Sequence, residues 1–94
     1  MPRPSTGTLR LRLYVAGHAP NSVRAIATAT ALCREHFPST HELEIVDVLT
    51  HPSQASADGV VVTPTLVKLS PAPVRRVIGN LSDTQQVLLA LASR

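Results

Sequence analysis

Apolar and polar residues alternate where the patterned part of the chain begins: Leu9, Leu11 and Leu13 are separated by Arg10 and Arg12 and followed by Tyr14. A period of two places the leucines on one side of an extended chain, so Leu9 to Gly17 (LRLRLYVAG) predicts a half-buried strand. Gly17-His18-Ala19-Pro20-Asn21 breaks that pattern. Asn21 or Ser22 is placed to cap a helix over Val23 to Phe37, and Pro38 stops it. Within that helix Val23, Ile26, Ala27, Thr30 and Cys33 or Arg34 recur at helical spacing. Leu43 to Leu49 (LEIVDVL) predicts a second strand. His51 to Gly59 predicts a short helix, since Pro52 is tolerated in a first turn and Gly59 ends one. Val60-Val61-Val62-Thr63 is β-prone, and Thr65 to Ser70 (TLVKLS) predicts a third strand. Pro71-Ala72-Pro73 makes a rigid turn, after which Val74 to Ile78 (VRRVI) pairs back antiparallel. Gly79-Asn80 signals a turn, Ser82 and Gln85 form a capping box, and Leu81 is placed to staple onto a later apolar residue. Val87 to Ala92 predicts a closing helix.

The sum is β-α-β-α-β-β-α, the order of a thioredoxin-like α/β domain with a mixed sheet and helices on its faces. If the first two strands are parallel neighbours, their crossover is right-handed. With 94 residues the chain suits one domain, over residues 9–94, preceded by a polar, Pro/Gly-rich and flexible segment 1–8. Only Tyr14 and Phe37 are aromatic while 44% of residues are hydrophobic, so the core must be aliphatic. A core of this size implies a stability of about 5 kcal/mol. No apolar run approaches the ~18 residues of a membrane span, and the N-terminus lacks the apolar stretch of a signal peptide. These features predict a cytoplasmic protein that does not engage membranes.

Charge raises the question of nucleic acid, because the formal net charge is +3. The arginines are scattered, however, and no aromatic platform accompanies them, which argues against it. A thioredoxin-like order also raises dithiol chemistry. Its two thiols belong where the first strand meets the first helix, since the helix N-terminus stabilises a thiolate. Gly17-His18-Ala19-Pro20-Asn21 contains none, and the single cysteine, Cys33, reads as a small buried core thiol. His18, His36, His41 and His51 lack the spacing of a helical metal motif and lie in or beside predicted loops. The glycines are isolated, and no nucleophile elbow occurs. The residues therefore predict neither an enzyme nor a metal or other cofactor. Thr63-Pro64-Thr65 is either a cis-proline turn of the kind that precedes the third strand in thioredoxin-like domains or an ordinary trans proline in a loop.

Several stretches, taken in order, resemble the KaiB family. They are Leu13-Tyr14-Val15-Ala16-Gly17, Pro20-Asn21-Ser22-Val23-Arg24-Ala25, Val46-Asp47-Val48-Leu49, Thr63-Pro64-Thr65-Leu66-Val67-Lys68, Pro73-Val74-Arg75-Arg76-Val77-Ile78-Gly79 and Leu81-Ser82-Asp83. The resemblance implies a non-catalytic clock-type regulator that docks on a KaiC-like ATPase, modulates its phosphorylation and ATPase cycle, and in cyanobacteria helps to sequester KaiA. It points to Pro20, Asn21, Arg24, Asp47, Pro52, Lys68 and Arg75 as partner-binding residues. It also implies fold switching between a thioredoxin-like monomer and a β-α-β-β-α-α-β subunit of a tetramer, with Pro64, Pro71, Pro73, Gly79, Asn80 and Asp83 as switch positions. Local preference favours the thioredoxin-like state, through β-branched Val74, Val77 and Ile78 and the Leu/Ala-rich final segment.

Departures from the cyanobacterial pattern are Asn80 for an Asp, Ala72 within a triple proline, and no acidic tail before Arg94. Glu42 and Glu44 also replace a small residue and a Lys in the second strand, which weighs against KaiA more than against KaiC. Alternatives are a KaiB-like signalling module of the kind that opens clock-output histidine kinases, or a stress-response module independent of a rhythm. A thiol-dependent protective enzyme is disfavoured by the missing dithiol.

Overall fold

A computed structural model describes residues 8–79 and 81–92. Seven elements follow in the predicted order: β1 (Leu9–Val15), α1 (Pro20–His36), β2 (His41–Asp47), α2 (Pro52–Ala57), β3 (Thr65–Ser70), β4 (Arg75–Ile78) and α3 (Thr84–Leu91). The strands form one mixed sheet in the order β2-β1-β3-β4, with β1 parallel to β2 and antiparallel to β3, and β4 antiparallel to β3. Segment 1–8 lies outside the described residues except for Thr8.

The alternation of β1 divides the core. Leu9, Leu11, Leu13 and Val15 are buried with Ala25, Ala29, Leu32 and Cys33 of α1, Leu66 of β3, and Val87 and Leu91 of α3. Burying each large aliphatic side chain contributes about 1.5–3 kcal/mol, so this cluster dominates stability. On the opposite face Tyr14 packs with Val46, Val67 and Ala55, the one buried residue of α2.

Lys68 also belongs to the leucine face, opposite Leu11 and Arg75 in the register, and it is 0% exposed. Burial lowers the pKa of its ammonium, and the charge of Arg75 lowers it further.

Five details differ from the sequence reading. Helix α1 begins at Pro20, with Ala19 at the cap position, rather than after an Asn21 or Ser22 cap. Proline suits a first helical position, where the missing N–H has no partner to lose. Ser22 instead accepts a hydrogen bond from the Ala16 N–H at 3.0 Å. The buried stripe of α1 is Ser22, Ala25, Ala29, Leu32 and Cys33, leaving Val23 half exposed, because small residues let the helix approach the sheet closely.

Strand β2 runs two residues earlier than predicted, since its pairing starts at Leu9 with His41 and the chain turns away after Asp47. The β-prone Val60–Val62 stretch joins no strand; it leads into the Thr63–Pro64 bond, which is cis, as are Ser70–Pro71 and Ala72–Pro73. Asp83, not Ser82, caps α3, accepting from the Gln86 N–H at 3.1 Å. Leu81 has φ 66°, a backbone state that costs an L-residue about 1 kcal/mol, offset by near-complete burial of its side chain in the core.

These placements predict that Asp83→Ala lowers stability by about 1 kcal/mol and Leu13→Ala by about 2–5 kcal/mol in urea melts.

Candidate functional site

One end of the sheet gathers four connections. The parallel strands β1 and β2 finish there, β3 starts there, and β4 finishes there, so Val46, Tyr14, Thr65 and Ile78 form a row across it. The β1–α1 turn, the β2–α2 turn, the approach to Pro64 and the exit from β4 all emerge from that row.

Asp47 joins two of these connections. Its carboxylate Oδ1 accepts from the Gly17 N–H at 3.1 Å and from the Leu49 N–H at 2.9 Å. Its carbonyl accepts from the Thr50 and His51 N–H groups at 3.1 and 2.9 Å. Gly17 takes φ 54°, and a Cβ there would sit 3.4 Å from Leu49 Cδ1, so the two turns pack side by side. Pro64 is buried, and its carbonyl accepts from the Gly79 N–H at 2.9 Å, tying the third connection to the fourth.

Main-chain stitching of this kind leaves aliphatic side chains facing outward. Val61 is 88% exposed, Leu49 70%, Ile78 65%, and Val23 and Val62 about half. Among the described residues, five of the eight exposed large hydrophobic ones thus sit at this one end, whereas scattered single ones would need no explanation. A patch of aliphatic tips rimmed by polar loops suits protein docking, since burial supplies affinity and the rim supplies register.

The sequence-derived partner residues divide. Pro20, Asn21 and Arg24 are exposed at the start of α1, and Pro52 is exposed at the start of α2, all beside the aliphatic patch. Asp47 is there too, but with its carboxylate engaged by the main chain. Lys68 is not available, because its side chain is buried inside the sheet–helix layer. Arg75 opens β4, at the strand's far end from the row. A lysine between Val67 and Leu69 in a strand apolar on both sides was the signal that Lys68 is interior. Leu49, Val61, Val62 and Ile78 were missed; their signal is apolar bulk within segments that turn or leave the sheet.

Of the residues suggested for switching, Pro64, Gly79 and Asp83 lie at or beside this end, and Pro71 and Pro73 form the β3–β4 turn at the other. Asn80 lies outside the described residues. Glu42 and Glu44 are paired internally: Arg10 lies 3.3 Å from Glu42, and Arg12 donates to Glu44 at 2.8 Å. At the strand–helix junction the side-chain polar groups are the His18 ring, the Asn21 amide, the Ser22 hydroxyl and the Asp47 carboxylate, the last two engaged by main-chain N–H groups. Cys33 is buried within α1, and burial raises its thiol pKa, which disfavours a thiolate. No group of three or more potential metal ligands occurs among the described residues.

Comparison with solved structures agrees with this architecture. The N-terminal domain of Synechococcus elongatus SasA superposes with a TM-score of 0.78 at 23% identity, covering 100% of this chain and 92% of that one. The Drosophila melanogaster thioredoxin Deadhead gives 0.73 at 18% identity, covering 89% and 80%. The fold is therefore thioredoxin-like. In sequence, the circadian clock oscillator protein KaiB of Cyanothece sp. is 46% identical over 88 residues, covering 94% of this chain and 84% of the relative. That of Microcystis aeruginosa is 48% identical over 84 residues, covering 89% and 81%. The KaiB domain family model matches residues 12–93, and the chain belongs to the KaiB family.

Proposed function

We propose that this chain is a clock-type regulator that acts by docking, without chemistry of its own, on a KaiC-type ATPase and so modulates that partner's cycle. The observation that carries this reading is the clustering of exposed aliphatic residues at the end where Pro20, Asn21, Arg24 and Pro52 converge. Identity of 46–48% to proteins described as circadian clock oscillator protein KaiB supplies the biological setting. The interface would bury Leu49, Val61 and Val62 centrally, with Arg24 in the rim, where charge governs encounter rate and salt dependence.

Glu42 and Glu44, held by Arg10 and Arg12, give the β2 edge a charge pattern of its own, so a KaiA-type partner is not part of this proposal. Switching to a tetramer-forming alternative fold is also proposed on family grounds, with the thioredoxin-like arrangement as the docking state and a monomer. The residues that would have to change partners are those of β3, β4 and α3. Because the buried Cys33 stands apart from the strand–helix junction, Cys33→Ser should leave docking unchanged, and disulfide-exchange assays should show no turnover.

Calorimetric titration of a KaiC-type ATPase, in its ATP-hydrolysing state, tests the docking surface. Leu49→Asp and Val61→Asp should each weaken binding by about thirtyfold or more, equivalent to about 2 kcal/mol, while Arg34→Glu near the far end of α1 should bind as the parent does. Arg24→Glu should slow association and flatten its salt dependence with little change in dissociation. Normal binding by both aspartate variants would remove this end of the sheet as the interface.

A further inference from the structure

Helix α2 is thinly anchored by apolar packing. It spans six residues and buries one, Ala55, against Tyr14, Val46 and Val67. Burial of one alanine is a weak hold, since a methyl group contributes only about 1 kcal/mol. Yet both ends of this helix run into the aliphatic patch. Leu49 lies three residues before Pro52, and Val61 and Val62 follow Ala57 by four and five residues. Val48 and Val60, next to Leu49 and Val61, are only partly buried against the same cluster, so polar contacts have a share in holding those three side chains in register.

Most of the polar hold converges on one residue, Asp58, with the Tyr14 hydroxyl also 3.3 Å from the Gln54 carbonyl of α2. Its carboxylate accepts from Arg12 Nη1 at 2.9 Å and from the Tyr14 hydroxyl. Its carbonyl accepts from Arg76 Nη2 at 2.8 Å and Nε at 3.2 Å. Arg12 donates in addition to Glu44 at 2.8 Å. Asp58 is thus tied to β1 by its side chain and to β4 by its main chain, and through Arg12 the tie extends to β2. The flanking Gly59 has φ 72°, so the chain reverses immediately after the tether and returns toward Pro64.

We infer that Asp58 is a positioning residue for the docking surface: it straps α2 across the sheet and thereby sets Leu49, Val61 and Val62 in a binding-ready arrangement, without touching the partner. The inference rests on the docking reading for its second half only. Pre-arranging a surface raises affinity by reducing the ordering cost of association. Releasing the strap leaves the leucine core intact, because Leu9, Leu11, Leu13 and Val15 lie on the other face. Opening should therefore be local, confined to α2 and its connections. Charged groups facing Asp58 are Arg12 of β1 and Arg76 of β4, with Glu44 of β2 behind Arg12.

The test uses the full chain, alone and then with partner. Tyr14 is the single tyrosine and tryptophan is absent, so intrinsic fluorescence reports this site alone. Asp58→Asn, Tyr14→Phe and Arg12→Gln are compared with the parent by amide hydrogen exchange, using the Ala55, Asp58 and Val60 N–H groups that hydrogen-bond within or just after α2. Asp58→Asn should speed exchange there by about tenfold or more while β1 and α1 keep their protection, and should brighten Tyr14 by removing its carboxylate neighbour. Tyr14→Phe should show a smaller, parallel increase, and Asp58→Glu should restore part of the protection. Binding to the KaiC-type ATPase should weaken in Asp58→Asn through slower association. Unchanged exchange over residues 52–63, or an increase spread evenly over every element, would overturn the strap. Local opening with undiminished binding would overturn its positioning role. If the parent chain itself does not bind the ATPase, the docking reading fails while the exchange and fluorescence results still judge the strap.

Discussion

Strand β1 is the member on which the rest of the architecture depends. It lies between β2 and β3, and its alternation supplies Leu9, Leu11, Leu13 and Val15 to one layer and Arg12 and Tyr14 to the other. A one-residue slip in its register would exchange those sets, burying guanidinium groups against α1 and α3. That penalty, several kcal/mol for each unpaired buried charge, fixes the register more strongly than any single apolar contact. The parallel partner β2 then falls into place, and the direct pairing of Arg10 with Glu42 and Arg12 with Glu44 follows from it. The outer pair is exposed and contributes little, whereas Arg12 is largely covered and bridges two carboxylates.

Those pairings change how the acidic residues of β2 are understood. In isolation Glu42 and Glu44 look like a new negative patch on an edge strand. In the folded chain each stands opposite an arginine of β1, so the negative charge is balanced locally. The carboxylate of Asp58 shares Arg12 with Glu44 and also accepts from Tyr14. The Tyr14 hydrogen bond is the main reason that the Asp58 pKa is held below the usual carboxylate range, with Arg12 adding to it. A group with a depressed folded-state pKa stabilises the fold above its unfolded-state value and loses that contribution as pH falls through the folded one. The Asp58 carboxylate therefore contributes to stability at neutral pH and loses that contribution only in acid.

Element order was legible because each segment carries its own periodicity or punctuation. The leucine alternation of β1, the proline boundaries of α1 and α2, and the paired prolines between β3 and β4 all act locally. Boundaries and faces were less legible, because they depend on partners distant in sequence. The two-residue offset of β2 follows from Asp47 giving its carboxylate to Gly17 and Leu49, an arrangement invisible until β1 and β2 lie side by side. The buried stripe of α1 was misjudged by bulk: Val23 looked interior, but the small Ser22, Ala25 and Ala29 permit close approach to the sheet. Of the surface proposed for docking, the helix starts are legible in the sequence and the aliphatic tips are not. The resemblance places Lys68 among the partner-binding residues, yet its strand is covered on both faces.

Thioredoxin-like domains offer a helix N-terminus, a proline-bounded turn and several strand ends within one small area. A thiol placed at that helix start makes the area reactive. Here the corresponding turn holds Ala16, Gly17, His18 and Ala19, and its nearest carboxylate, Asp47, is spent on main-chain hydrogen bonds. The thiol-dependent route to reactivity is therefore missing from this turn, while the same strand ends and helix start remain. Loops that must fold back tightly expose side chains that strands would have covered, and in this chain those side chains are Leu49, Val61 and Val62. A face built from loops is only as ordered as the groups behind it. With one alanine buried beneath α2 and Val48 and Val60 only partly covered, polar contacts from Arg12, Tyr14 and Arg76 add to that order. Fold and surface are in this way separable: the leucine layer specifies the domain, and the opposite, thinner layer specifies what the domain presents.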